Sequence, residues 1–315
     1  MAGIDEAGYG PKLGPLVVAL SAFRTGSRSM EAILDGAVAK KTAIDDPQVA
    51  VDDSKKIFRG RAGLDQLEKT ALSFWYAARG RLPATLGELL AGIGTEDVDL
   101  ASCPWYGPDP AALRLPLIVS PDVIATSGAL IARTLESRGA SFLGFRSEVA
   151  PAPRFNKGIA VWDNKAAFLA DLVLSTLHSA LSSEFERPAL VLIDKLGSRN
   201  QYAHLLSARL RHKTLSIVDE QRARSVYLLR DDETTIEVRF ERSADERHLP
   251  VALSSIFCKY VREIFMILFN RFWTAIVPEL RPTAGYPTDA GRFLNDLGRV
   301  AAESGIDPAA FTRIR

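Results

Sequence analysis

The sequence is poor in sulfur and has no long hydrophobic run. Two cysteines among 315 residues, Cys103 and Cys258, make no disulfide framework, and neither has a partner at metal-ligand spacing. The four histidines, His178, His204, His212 and His248, form no zinc pattern. No sign of charge dominates either: 39 Lys and Arg stand against 38 Asp and Glu, so any polyanion must be met by a local patch. Charge interrupts every apolar run before bilayer-spanning length, which excludes a helical membrane anchor. No basic segment followed by an apolar stretch marks a signal peptide. Internal repeats and low-complexity tracts are absent. These absences give the expectation of a cytoplasmic protein, and 47% hydrophobic residues suffice for a core that needs no staples.

What the sequence does contain begins with GIDEAGYGPKLGP, Gly3 to Pro15. Two adjacent acids, Asp5 and Glu6, precede a loop largely emptied of side chains. Adjacent carboxylates repel and glycines cost backbone entropy, so the arrangement suits a cation or a phosphate coming to it. LVVALSAF, Leu16 to Phe23, reads as a buried strand that forms a hairpin with the segment carrying the acid pair. Helical spacing is predicted over Ser29–Lys41, Leu64–Arg79, Val123–Ser137, Asn164–Ser183 and Val251–Asn270, and another helix after Pro287 and Thr288. Ala189–Ile193 is an apolar run of strand length ending at Asp194. The segments 225–229 and 234–240 predict a β-hairpin. From about Pro83 to Lys157 the composition shifts toward proline and reads as an insertion or small subdomain. The pattern predicts one mixed α/β domain over 1–315, with that insertion and a C-terminal helical part at about 271–315.

Four acids stand in suggestive places. Asp5 and Glu6 lie at a strand end before glycines, and Asp194 ends an apolar strand, where open α/β sheets bind ligands. Glu263 lies on a helix one turn from Lys259 and beside Arg262. Carboxylates gathered from distant segments suit Mg²⁺ or Mn²⁺. Two such ions about 4 Å apart activate a water and stabilise a leaving oxygen in phosphodiester cleavage. Each acid alone reads equally as a solvated or capping residue, Lys55-Lys56 as a solvated charge run, and the Ser255–Lys259–Glu263 face as a surface pair. Trp105, Tyr106 and Trp162 read as packing residues, and Arg209 to Lys213 as a solvated helix end.

GIDEAGYGPKLGP, DDSKK at Asp52–Lys56, VLID at Val191–Asp194, SSIFCKYVRE at Ser254–Glu263 and GYPT at Gly285–Thr288 occur in one order. In words and order they resemble the type 2 ribonucleases H, the ribonuclease HII and HIII family. The resemblance implies a ribonuclease H-like fold, a mixed β-sheet flanked by helices, here with an inserted segment and an extra β-hairpin. It implies a monomeric metal-dependent endonuclease acting on nucleic acid. The substrate is the RNA strand of RNA–DNA hybrids or a ribonucleotide in duplex DNA, and the products carry 5′-phosphate and 3′-hydroxyl ends. Asp5, Glu6, Asp194 and Glu263 fall on the catalytic, metal-binding acids. Gly8, Tyr9 and Gly10 fall on the loop that senses the ribose 2′-hydroxyl, and Tyr286 on a tyrosine stacking near the sugar. Lys55, Lys56, Ser255 and Lys259 fall on phosphate-holding positions. Tyr9 stands where ribonuclease HII carries arginine, and Glu263 matches HIII rather than HII, which places the chain between the two types. A nucleic-acid-binding homologue with lost or retargeted catalysis is the competing reading.

Overall fold

Strands β1 (Ala2–Ala7) and β2 (Leu16–Arg24) form the antiparallel hairpin that the sequence predicts, with Asp5 opposite Ala19 and Glu6 opposite Val18. They belong to a computed structural model that describes residues 1–27, 29–52, 63–95, 98–182, 189–211, 213–232, 234–298 and 300–314. β2 is buried along all but its last residue, because helices cover both faces of the sheet there, and this explains its unbroken apolar run. A helix α1 (Met30–Ile33) and a two-stranded sheet, β3 (Val38–Ala39) with β4 (Val49–Ala50), follow.

The main sheet is mixed. β5 (Ser141–Ala150) pairs antiparallel with β2, while β6 (Leu190–Asp194) runs parallel to β1. β7 (Thr214–Glu220), β8 (Arg224–Arg230) and β9 (Thr235–Glu241) complete it, in the order β5-β2-β1-β6-β9-β8-β7. β8 and β9 are the predicted hairpin, and β9 lies parallel to β6.

One sheet face packs against α2 (Leu64–Arg79), α3 (Leu86–Gly92), α4 (Pro121–Ser137), α8 (Leu249–Ile276) and α9 (Pro287–Leu297). The other packs against α5 (Ala152–Trp162), α6 (Lys165–Ser182) and α7 (Ala203–Arg209). Two short helices, α10 (Val300–Glu303) and α11 (Pro308–Phe311), follow α9. Among the described residues no helix is long and apolar enough to cross a membrane.

α8 positions the site. Its 28 residues extend about 42 Å, and it crosses β1 and β2 almost in backbone contact. A Cβ added to Gly3 would lie 2.3 Å from the Pro250 carbonyl carbon, so only glycine admits the helix there. Hydroxyls fasten the crossing: Ser254 Oγ donates to Gly3 O at 2.9 Å and Ser21 Oγ to Pro250 O at 2.8 Å. The Glu31 carboxylate accepts the Leu249 N–H at 2.9 Å, which satisfies one of the exposed donors at the helix start.

The segment 83–157, expected as an insertion or small subdomain, supplies α4 and the edge strand β5 of the central sheet with its second half. Its proline-rich part is fixed by buried Glu68, which accepts the N–H groups of Leu117, Ile118 and Val119 at 2.6 to 2.8 Å and the Tyr260 hydroxyl at 3.0 Å. Trp105 and Tyr106 pack in the core against Phe311 and Phe265, as expected. The helix expected over Ser29–Lys41 stops after Ile33, because Gly36 turns the chain at φ +87° into β3.

Candidate active site

Parallel pairing of β1 and β6 places Ile4 beside Ile193, so the next residues, Asp5 within β1 and Asp194 at the end of β6, come side by side. The register continues into β9, where Asp194 lies beside Glu241. Asp5 is buried under α8, and its carboxylate accepts a hydrogen bond from Ser255. Asp194 Oδ1 accepts the Ala244 N–H at 2.8 Å in the turn between β9 and α8. Glu6 follows Asp5 and feels the charges of both Asp194 and Asp245. Glu241 is compensated by Arg247 at 3.4 Å and Arg239 at 3.8 Å, and His248 Nε2 lies 3.1 Å from it.

The electrostatics of this row are those of crowded acids. Burial first, then Glu6 and Asp194, push the Asp5 carboxyl well above the usual range. Burial and then Asp194 push Glu6 up from 4.5 to about 7. The folded pair therefore holds protons that the unfolded chain releases near pH 4.5, and its contribution to stability falls as pH rises from there to about 7. In EDTA, the thermal midpoint is expected to drop by a few degrees between pH 5 and pH 7.5. A flat profile would contradict the coupling.

The structure gathers Asp5, Glu6 and Asp194 but sets Glu263 apart. Glu263 lies eight residues beyond Ser255, about 12 Å along α8. It pairs with Arg262 at 2.8 Å; burial raises its pKa, while Arg262 and Lys259 oppose the rise. The acid that joins the cluster instead is Asp245, in the turn before α8. Sequence reading missed it, although the signal that singled out Asp194, an acid following a strand, is there too. Its relevance depends on β9 lying parallel to β6, which no local pattern shows. Crowded carboxylates, two of them with raised pKa values, suit a hard divalent cation. Among the described residues no group of three or more His, Cys, Asp or Glu side chains forms a ready-made metal cage.

The glycine loop adjoins the acids. Gly8 has φ +90°, and a Cβ there would lie 2.4 Å from Pro15 O. The loop is stitched to two distant segments: Lys12 and Leu13 donate to Gly285 O at 2.8 and 3.2 Å, and Arg313 N donates to Lys12 O at 2.8 Å. The buried Arg313 guanidinium donates to Gly8 O and, at 3.4 Å, to Tyr9 O. Arg262 donates to Ala284 O at 2.8 Å and lies 5.8 Å from the Tyr286 ring centre. Tyr9 is half-buried, Gly10 is exposed, and Tyr286 is 55% exposed beside the loop rather than packed in the core. Ser255 is buried against Asp5, and half-buried Lys259 is one turn further along α8. Lys55 and Lys56 lie outside the described residues. Nothing in the sequence pointed to Arg313, which reaches Gly8 across 305 positions.

Among solved structures, ribonuclease H2 from Pyrococcus horikoshii OT3 matches with a TM-score of 0.50 over 99% of this chain and 91% of its own, at 16% identity. The chain has the fold of the type 2 ribonucleases H. Ribonuclease HII of Archaeoglobus fulgidus, in a complex with PCNA, matches at 15% identity and a TM-score of 0.43 over 100% of this chain and 93% of its own. A structure of Bst-RNase HIII in complex with Mn²⁺ matches at 17% identity and 0.47, with 99% of this chain covering 65% of that one. No family profile and no curated protein sequence matches the chain. On this ribonuclease H fold the acids occupy the C-terminal ends of the central parallel strands, β1 and β6.

Proposed function

We propose that this chain is a divalent-metal-dependent endonuclease that hydrolyses the RNA strand of RNA–DNA hybrids or incises duplex DNA at embedded ribonucleotides. The observation that carries this reading is the meeting of Asp5, Glu6 and Asp194, where the Asp194 charge raises the pKa of the other two, beside a glycine loop open enough for a sugar edge. Asp5, Glu6, Asp194 and Asp245 are the residues to hold Mg²⁺ or Mn²⁺, which would supply Lewis acidity and an activated water.

The chain's own part is orientation. Ser255 and the Ala244 N–H fix the Asp5 and Asp194 carboxylates, so little is left to reorganise when the substrate arrives. The Gly8–Gly10 backbone, held from behind by Arg313, is available to a ribose 2′-hydroxyl, the group that separates RNA from DNA. Exposed Tyr286 offers its ring to the neighbouring sugar, and Lys259 its ammonium to a phosphate. The products carry 5′-phosphate and 3′-hydroxyl ends.

A substrate panel tests this reading: an RNA–DNA hybrid, DNA with one ribonucleotide, the same DNA with that position 2′-O-methylated, and all-DNA duplex, each with Mg²⁺, Mn²⁺ or EDTA. Cleavage is expected of the first two only, and only with metal. Metal-dependent binding of hybrid without turnover would favour a binding protein, and equal cleavage of all-DNA would refute the 2′-hydroxyl requirement.

A further inference from the structure

The β6–α7 loop and the β7–β8 turn rise from the sheet edge that carries the acids. Register sets Asp194 beside Glu241, Glu241 beside Arg224 and Ser225 beside Glu220, so β9, β8 and β7 all reach that edge. Loop and turn are locked together. Lys195 Nζ donates to Asn200 Oδ1 at 2.8 Å and to Gln221 O at 2.6 Å, and Ser225 Oγ donates to Asn200 O at 2.6 Å. The Tyr202 hydroxyl donates to Arg199 O at 2.9 Å. Where the loop meets the end of β7 lies a cleft of about 400 Å³, lined by Arg199, Asn200, Gln201, His204 and Glu220. The one acid in it, Glu220, already accepts the Tyr227 hydroxyl.

Three arginines at this edge are uncommitted. Arg199 borders the cleft, Arg222 is exposed in the turn, and Arg242 is exposed directly after β9, its N–H donating to Ala223 O at 3.0 Å. Among the described residues none of these three guanidiniums makes an ion pair or hydrogen bond, whereas Arg224 is paired with Asp219 at 3.2 Å and Arg247 with Glu241 at 3.4 Å. Three like charges on one edge repel, and no partner within the described fold offsets that. With 39 Lys and Arg against 38 Asp and Glu, a polyanion must be met by a local patch of this kind.

We propose that this cleft and edge are a second contact for the nucleic-acid duplex, Arg199 taking a backbone phosphate in the cleft and Arg222 and Arg242 the phosphates beside it. This rests on the nuclease reading of the acid cluster. Three strand spacings separate β6 from β7, about 14 Å at about 4.8 Å each. That is roughly four base steps at about 3.4 Å, so the cleft meets the duplex beyond the nucleotide that the acids address. A guanidinium can pair two phosphate oxygens at once, which suits arginine rather than lysine at all three positions. Because Lys195, Ser225 and Tyr202 already fix the backbone, only side chains are left to order on binding. The contact reads no sequence and adds affinity and placement.

Binding of a fluorescent RNA–DNA hybrid by the Asp194→Asn protein, over a range of KCl concentrations, tests this. Arg199→Ala is expected to weaken binding about fivefold to tenfold at moderate salt and to make the slope of log K against log salt shallower by about 1. Replacing all three arginines by alanine makes it shallower by about 2 to 3. Arg133→Ala, which removes an exposed charge from α4 beside the opposite edge strand β5, leaves the slope unchanged. With the acids intact, the Arg199→Ala loss in turnover falls on KM. It vanishes when the ribonucleotide stands within about three base pairs of one duplex end and persists near the other, because only one flank reaches the cleft. Salt slopes of Arg199→Ala and the triple variant equal to that of their Asp194→Asn parent, or an equal change in Arg133→Ala, would overturn the contact, while hybrid cleavage by the unmodified chain leaves the nuclease reading standing. Failure of the unmodified chain to bind or cleave any duplex would overturn both.

Discussion

Asp194→Asn is expected to lower kcat/KM on a ribonucleotide-containing duplex by about 10³-fold or more, while making the metal-free protein more stable. Both effects come from one charge. Asp194 sits beside Asp5 across the β1/β6 seam, and its charge helps raise the pKa of both Asp5 and Glu6. Asparagine keeps an Oδ1 for the Ala244 N–H, which the aspartate accepts at 2.8 Å, so the turn before α8 is preserved. Losing the like charge relieves Glu6, and the thermal midpoint in EDTA at pH 7.5 is expected to rise by about 1 to 2 °C, roughly 1 kcal/mol. Such opposition of stability and activity is the mark of a site strained by its own charge. Asp245→Asn is expected to behave likewise. Glu263→Gln is expected to lose stability first, because it leaves the buried Arg262 guanidinium without the opposite charge 2.8 Å away. Near-normal turnover by Asp194→Asn in steady-state assays would remove the proposed metal site.

Gly3→Ala is the second large effect, expected at about 4 kcal/mol of destabilisation by denaturant titration. The added methyl would lie 2.3 Å from the Pro250 carbonyl carbon and 2.4 Å from the Val251 nitrogen. Both are backbone atoms of α8, so no rotamer change relieves the clash, and the helix must move off β1. That movement also stretches the Ser254–Gly3 hydrogen bond and withdraws Ser255 from Asp5. Activity therefore falls with stability, and more steeply than in Glu263→Gln. A Gly3→Ala protein with an unchanged midpoint and full activity would show that the crossing is looser than described. Gly8→Ala acts differently: its φ of +90° and the Pro15 carbonyl 2.4 Å away strain the loop, and of α8 the added methyl meets only the Arg262 side chain, at 3.1 Å.

Much of this was legible in the residues. The hairpin carrying the acid pair, the strand ending at Asp194, the β8–β9 hairpin and the helix at 64–79 follow from short-range periodicity, which reports which face of an element is covered. The motif words gave the fold class and three acids that the structure brings together. The stop after Ile33 was readable in principle from Gly36, and the α8 pattern was read too short at both ends, since buried helices lack a polar stripe to mark their limits.

By itself, then, the sequence determined the element types, the acid pair and its glycine loop, because each is written within a few neighbouring residues. Tertiary structure alone decided which acids share a site. Parallel pairing of β1, β6 and β9 sets residues from 5, 194 and 241 side by side, and the turn that follows brings Asp245 in while α8 carries Glu263 away. It also decided that Arg313 holds the glycine loop. Strand order and helix crossing depend on burial summed over the whole chain, and no local pattern encodes that sum.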